Sequence, residues 1–229
     1  MNPLLHIDGF RGFARLFPLP NFVMMPHVLK GFHIFEKRYR DLVENALKED
    51  KLIGLVLPKD GWDKNYDGSF AIHKIGCLTQ IHDYERLDDG KFNIVLRGIC
   101  RMQIEHELLT STLYRQAKVL LLPDAPTTED GKLREQLEAE VLPWLSVDGE
   151  GREQFQKLMH SPAPMGTIVD VVSFALPIPS DWKQQLLEHS SVVERVLKLC
   201  ELLRSVKPFH TPEENPIIAR RHPPGFSTN

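Results

Sequence analysis

The sequence predicts an α+β protein in which a curled β-sheet or partly open pseudo-barrel with one interleaved helix is followed by a C-terminal helical bundle. Three observations predict it. An apolar run near the N-terminus is cut by Pro18, Pro20 and Pro26, and each proline removes a backbone donor and fixes φ, so the run is a short edge strand and a shaped loop. Residues 73–122 read as strand almost throughout. Beyond Pro123 the apolar spacing changes from the period of a strand to that of a helix.

Residues 1–12 form a lead-in, residues 15–19 open the sheet, and the proline-broken loop runs to Lys30. Residues 36–49 place Tyr39, Leu42, Val43, Ala46 and Leu47 on one helical face, which predicts a helix plugging the sheet. Residues 52–57 make a strand stopped by Pro58. Residues 59–69, with Gly61, Asn65, Asp67 and Gly68, make an exposed loop carrying Trp62 and Tyr66, either as anchors or as ligand-lining rings. Ile75, Cys77, Thr79 and Ile81 alternate as one face of a strand. Asp88-Asp89-Gly90 provides a tight hairpin turn, after which Phe92, Ile94 and Leu96 alternate, and Gly98 marks a bulge or bend. Residues 117–122 complete a sheet whose bends predict curling.

Residues 123–128 are a proline-rich joint. Leu133, Leu137, Val141, Leu142 and Leu145 define the first helix beyond it, with Pro143 kinking its end; Phe155, Leu158 and Met159 define the second. Ile168, Val171, Val172 and Ala175 define a third that stops before Pro177. The fourth spans residues 181–188 with Ser180 as its N-cap. The fifth begins with a Ser191/Glu194 capping box and carries Val192, Val196, Leu199, Leu203 and Val206 as its stripe. The expected division is a β subdomain at 1–123, a helical subdomain at 124–206 and a flexible tail at 207–229.

Composition excludes several classes. Apolar residues at 42% and charged residues at 26% are those of a globular protein, and 28 basic against 31 acidic residues give a net charge of -3, without a field to draw in nucleic acid or anionic membrane. Cys77, Cys100 and Cys200 are an odd, dispersed set, read as buried reduced thiols. Pro3, Asp8 and Arg11 argue against a secretory signal, and no apolar stretch reaches the ~18 residues of a membrane helix. A cytoplasmic location is expected.

Leu16-Phe17-Pro18-Leu19-Pro20 and His33-Ile34-Phe35-Glu36-Lys37-Arg38-Tyr39 resemble the opening of the Lon protease N-terminal, or substrate-binding, domain. The resemblance continues through Ile75-Gly76-Cys77-Leu78-Thr79-Gln80-Ile81, the stretch from Gly90 to Arg101, Tyr114-Arg115-Gln116-Ala117-Lys118-Val119 and Lys183-Gln184-Gln185-Leu186-Leu187-Glu188, covering residues 13–206. It implies the family's PUA-like β-fold and a stand-alone member lacking the ATPase and peptidase modules of a complete Lon enzyme. A fold hosts many functions, so the biochemical role needs a site.

The sequence carries no recognisable catalytic motif. No phosphate loop of the Gly-x-x-x-x-Gly-Lys-Ser/Thr type occurs, and Ser69, Ser111, Ser146, Ser161 and Ser173 lack a nucleophile motif. His73, Cys77 and His82 do not converge on a regular strand, so neither a metal nor a cofactor is expected. His33 reads as a loop-capping side chain or a ligand contact at a site edge. The leading candidate is the apolar loop, where methionines and an aromatic ring on a preshaped turn suit varied partners. The expected function is non-catalytic binding of unfolded or extended polypeptide, as an adaptor or substrate-recognition factor linked to proteolysis, with a protease or chaperone as a further partner. Phe22, Met24, Met25, Phe32, His33, Phe35, Arg38 and Tyr39 are the candidate peptide-binding residues, Arg38 also fixing the start of the helix. The alternatives are a small-molecule sensor with Trp62, Tyr66 or Trp182 lining its pocket, and an RNA-binding PUA-like protein using the Lys37-Arg38-Tyr39-Arg40 segment or the tail.

Overall fold

The computed structural model describes residues 7, 9–65, 70–125, 127, 130–145 and 149–206. Tyr66, Ser69, Ser146, most of the lead-in and the tail at 207–229 lie outside the described residues. Six strands are present: β1 (Phe13–Pro18), β2 (Leu29–Ile34), β3 (Leu52–Val56), β4 (Ile75–Arg86), β5 (Phe92–Leu108) and β6 (Gln116–Leu122). Helix α1 (Lys37–Lys48) separates β2 from β3. The second half holds α2 (Asp130–Val141), α3 (Glu150–Met159), α4 (Met165–Ala175), α5 (Ser180–Glu188) and α6 (Val192–Arg204).

The strand order is β2-β5-β4-β3-β1-β6, and β5 also pairs with β6. Strands β1, β3, β4, β5 and β6 therefore close on themselves, while β2 hangs outside the ring along the first part of β5. Only β1 and β3 run parallel, and the connection between them carries β2 and α1. Strand β5 serves two neighbours because it bends: residues 92–97 pair with β2, and residues 101–108 with β6. The bend is at the glycine singled out above, where the register with β4 jumps from Thr79↔Gly98 to Leu78↔Cys100 and leaves Ile99 over. A Cβ at Gly98 would stand 2.1 Å from the Met25 carbonyl oxygen, so this glycine admits the backbone of the proline-broken loop. The loop is pinned there by Gly98 N–H donating to Val28 O and His27 N–H to Gly98 O, both at 2.9 Å.

Leu16, Leu52, Val56, Leu78 and Met102 fill the barrel interior. A second core lies between the outer wall of the barrel, α1 and the helical half, and α1 buries Tyr39, Leu42, Val43 and Ala46 into it, as their spacing predicts. The Asp88-Asp89-Gly90 turn forms, with Gly90 at φ +77° and Leu87 N–H bonded to Lys91 O at 2.9 Å. Pro143 ends α2 in a short 3-10 turn, Leu142–Trp144. Two details differ from expectation. Ser180 is the first residue of α5, and Pro179 occupies the N-cap, because a proline's fixed φ suits the extended conformation there. At α6 Ser191 Oγ accepts from Glu194 N–H at 3.3 Å, but the Glu194 carboxylate lies toward His189 Nδ1 at 3.6 Å.

Buried charges tie the two halves together. Arg101 of β5 donates to both carboxylate oxygens of Asp170 in α4 at 3.0 and 2.6 Å, and through Nε to Leu187 O in α5 at 3.0 Å. Arg195 of α6 pairs with Asp124 and lies 3.2 Å from Asp170 Oδ1. Arg101, Asp170 and Arg195 are each 1% exposed. The ring of two guanidiniums and two carboxylates fixes α4 against the barrel and so places Phe174 beside the apolar loop.

Candidate functional site

Between the loop at residues 19–22 and strand β2 runs an open groove of about 1240 Å³. The loop wall is shaped by Asn21, whose φ of +58° lies in the left-handed region that asparagine tolerates, and it carries Phe22 over the groove. Phe22 packs edge-to-face on Phe32 of β2 at 5.3 Å and on Phe174 of α4 at 6.0 Å. Phe32 meets Phe17 at 6.2 Å, and Phe17 meets Tyr39 at 4.4 Å. A continuous file of rings thus runs from the helical half, through the loop and β2, to α1, edge-to-face as aromatic quadrupoles favour except at the tilted Phe17–Tyr39 contact. Farther along the same face Ile94 and Tyr84 are in register with Phe32, and Tyr84 is 51% exposed.

The predicted site residues differ in their placement. Phe22 and Phe32 are half-buried and line the groove; His33 and Phe35 are exposed at its end, with their rings stacked 6.3 Å apart. Tyr39 also lines the groove but is nearly covered. Arg38 holds Glu36, the residue that caps α1, through Nε at 3.0 Å, and its guanidinium lies 4.7 Å from the centre of the Tyr39 ring. Met24 and Met25, expected to offer thioethers to a partner, do not: both are buried in the core, at 1% and 0% exposure. The reason is Gly98, whose missing side chain lets the loop backbone press onto β5 and turns both methionines inward. Phe17 and Phe174 belong to the aromatic file but were not anticipated; Phe174 follows Ile168, Val171 and Val172 in an apolar helix, where a ring reads as ordinary core.

His33 is neither loop-capping nor isolated. The Asn93 amide offers its oxygen to His33 Nδ1 at 2.8 Å and donates through Nδ2 to Glu85 Oε2 at 2.9 Å, forming a polar row across β2, β5 and β4 on the outer face of the sheet. Asp83 is exposed on that face two residues away. Among the described residues lining the groove there is no serine, threonine or cysteine that could serve as a nucleophile.

Other candidate chemistry lies elsewhere. His73 Nδ1 pairs with Glu188 at 3.0 Å, Cys77 is buried and His82 is exposed, and no three metal-ligating side chains gather among the described residues. Burial pushes the Cys100 thiol up to about 12 and the Cys200 thiol up to about 11, and raises Cys77 as well, so all three buried cysteines are held as neutral thiols. A second cavity of about 400 Å³ lies beside Arg101 and Asp124. Neither Trp62 nor Trp182 lines either cavity. Of the basic segment at residues 37–40, Tyr39 is covered and Arg38 is engaged with Glu36, so those residues present no aromatic basic face. Among the described residues no helix is long and apolar enough to cross a membrane.

A model of the ATP-dependent protease La (LON) substrate-binding domain matches residues 14–205. Curated relatives include the Lon protease of Aquifex aeolicus, 25% identical over 194 residues that make up 82% of this chain and 24% of that protein. The Lon protease of Heliobacterium modesticaldum is 23% identical over 190 residues, covering 82% of this chain and 23% of that protein. The chain spans about a quarter of the length of the curated relatives it matches. Among solved structures, a Lon N-terminal domain protein from Xanthomonas campestris superimposes with a TM-score of 0.60 at 22% identity, covering 86% of this chain and 99% of that one. The N-terminal domain of Mycobacterium avium complex Lon protease gives 0.64 at 16% identity, covering 84% and 98%. The mixed fold of a six-stranded sheet followed by helices is shared with these structures.

Proposed function

Because the chain belongs to the Lon substrate-binding domain family, we propose that it binds unfolded or extended polypeptide segments without cutting them, as an adaptor or recognition factor linked to proteolysis. The observation that carries this reading is the open groove lined by Phe22, Phe32 and Tyr39. Its volume of about 1240 Å³ exceeds the roughly 300–1,000 Å³ of pockets that enclose small molecules, and it is not enclosed, which suits a length of chain. Aromatic side chains bury a large area at little cost in side-chain entropy and dominate binding energy at such sites. A reducing cytoplasm suits the three neutral buried thiols, and a protease or chaperone fits as the partner to which a captured segment is passed.

The test is fluorescence anisotropy of a labelled, permanently unfolded polypeptide, compared with its folded form. Saturable binding of the unfolded form alone is expected. Phe35→Ala, which removes an exposed ring from the groove's end, weakens it at least fivefold, the size of effect that marks an aromatic contact. No binding at about 100 μM, a free energy weaker than about -5.5 kcal/mol, overturns the reading.

A further inference from the structure

We propose that the bound segment adds to the sheet as a seventh strand along the free edge of β2, and that the edge selects a segment alternating apolar with basic residues. The inference rests on the polypeptide-binding reading above and adds to it the mode of binding and the chemistry of the partner.

Strand β2 pairs with β5 on one side, and among the described residues no strand pairs with its other side. Gly98 N–H donates to Val28 O, and the register continues from Leu29↔Arg97 to Ile34↔Phe92. In an antiparallel ladder bonded and non-bonded pairs alternate, so Lys30, Phe32 and Ile34 bond to β5, while the main-chain N–H and C=O of Leu29, Gly31 and His33 face outward. Exposed edges are ordinarily protected by proline, a bulge or charge. The six residues of β2 contain no proline and a single charged side chain, Lys30, and the register with β5 is unbroken. A row of unused donors and acceptors is satisfied by another extended backbone, which is how sheets capture peptides.

Both faces of the edge define the occupant. On the groove face, an added strand sets alternate side chains against Phe22 and Phe32, which calls for apolar residues. On the outer face, Gly31, Val95 and Asp83, which also line the groove, lie in one register row, and Gly31 presents no side chain. A lysine or arginine of the added strand opposite Gly31 lies flat over that gap, toward the exposed carboxylates of Asp83 and Glu85. Adjacent strands lie about 4.8 Å apart, so the long stem brings the cation within the ~8 Å Debye length at physiological salt rather than into a fixed ion pair. Arg97 is also exposed on this face, in the Leu29 row, and its guanidinium donates to Gln80 Oε1 at 3.3 Å. A glutamate opposite Gly31 meets the like charge of Asp83 and Glu85.

The test uses the full chain and a fluorescein-labelled octapeptide alternating valine with lysine, its valine–glutamate counterpart, and two versions of the lysine peptide N-methylated at every second residue in opposite registers. The lysine peptide binds, the glutamate peptide binds at least fivefold more weakly, and the difference shrinks in 0.5 M salt. One N-methyl register abolishes binding and the other retains it, because only alternate amides face β2. Gly31→Pro, which deletes an outward N–H that β5 does not use, abolishes binding while its thermal melt stays cooperative. Equal behaviour of the two N-methylated peptides, or full binding by a folded Gly31→Pro chain, overturns strand addition and leaves segment binding standing. Equal binding of both charge types overturns the basic preference. If neither these peptides nor the unfolded polypeptide binds, the broader reading and this one fall together.

Discussion

At the residue scale, the environment of a side chain sets its chemistry more than its type does. Lys183 of α5 is an example: its ammonium donates to Phe174 O at 2.6 Å and lies 5.3 Å from the centre of the Phe174 ring. Burial lowers its pKa from 10.5 to about 8. Below pH 8 both the folded and unfolded chains hold the proton, and the folded state bears the cost of a desolvated cation. Between about 8 and about 10.5 the folded chain releases the proton and the unfolded chain keeps it, so stability rises with pH through that window. Denaturant unfolding of the protein and of Lys183→Met should therefore show the native side chain gaining relative to methionine as pH climbs across this range. A difference independent of pH would mean that the amine is solvated.

The loop at residues 19–28 is an element whose role is decided by its two ends. Seen by itself, a run of phenylalanine, valine and two methionines between prolines has the features of a sticky surface. In the fold its backbone rests on Gly98, its first ring packs on Phe174 and lines the groove, and its methionines enter the core. Met24→Ala with Met25→Ala should consequently lower stability by about 4 kcal/mol or more, since large-to-small changes at buried sites cost roughly 2–5 kcal/mol each. Chemical denaturation checks this, and a double variant with unchanged stability would place both side chains at the surface. Strand β2 shows the converse: its sequence carries no mark of an edge, and its outer side is free because it stands at the end of the strand order while β5, bent at Gly98, pairs through its later residues with β6.

For the molecule as a whole, the polar ring of Arg101, Asp170, Arg195 and Asp124 does what apolar contact alone would leave underdetermined: it fixes how α4, α5 and α6 sit on the barrel. Asp170→Asn leaves two buried guanidiniums facing an amide, and removal of one partner from a buried pair costs about 3–5 kcal/mol. Loss of that size, with the groove-binding affinity falling in step as Phe174 loses its position, is the expected result by unfolding and anisotropy; a change under about 1 kcal/mol would show the ring to be hydrated. Sequence signals for the ring existed but were faint. Asp170 is the one charge within Ile168-Val169-Asp170-Val171-Val172, and Arg195 adjoins Val196 on the buried side of α6.

The sequence by itself determined most elements of this protein, though not strand β2, whose Leu29 and Lys30 it placed in the proline-broken loop, together with the Gly98 bend, the hairpin at Gly90, the five helices of the second half and the family to which the chain belongs. All of these depend on periodicity, turn chemistry or residue order within a few positions of the chain. Only the tertiary structure decided which of Phe22, Met24 and Met25 reach the groove, that Phe174 packs on Phe22, that His33 faces Asn93, and that β2 keeps an open edge. Those outcomes depend on contacts between residues far apart in the chain, where the steric vacancy at Gly98 and the pairing of buried charges select one packing among several that the local patterns would allow.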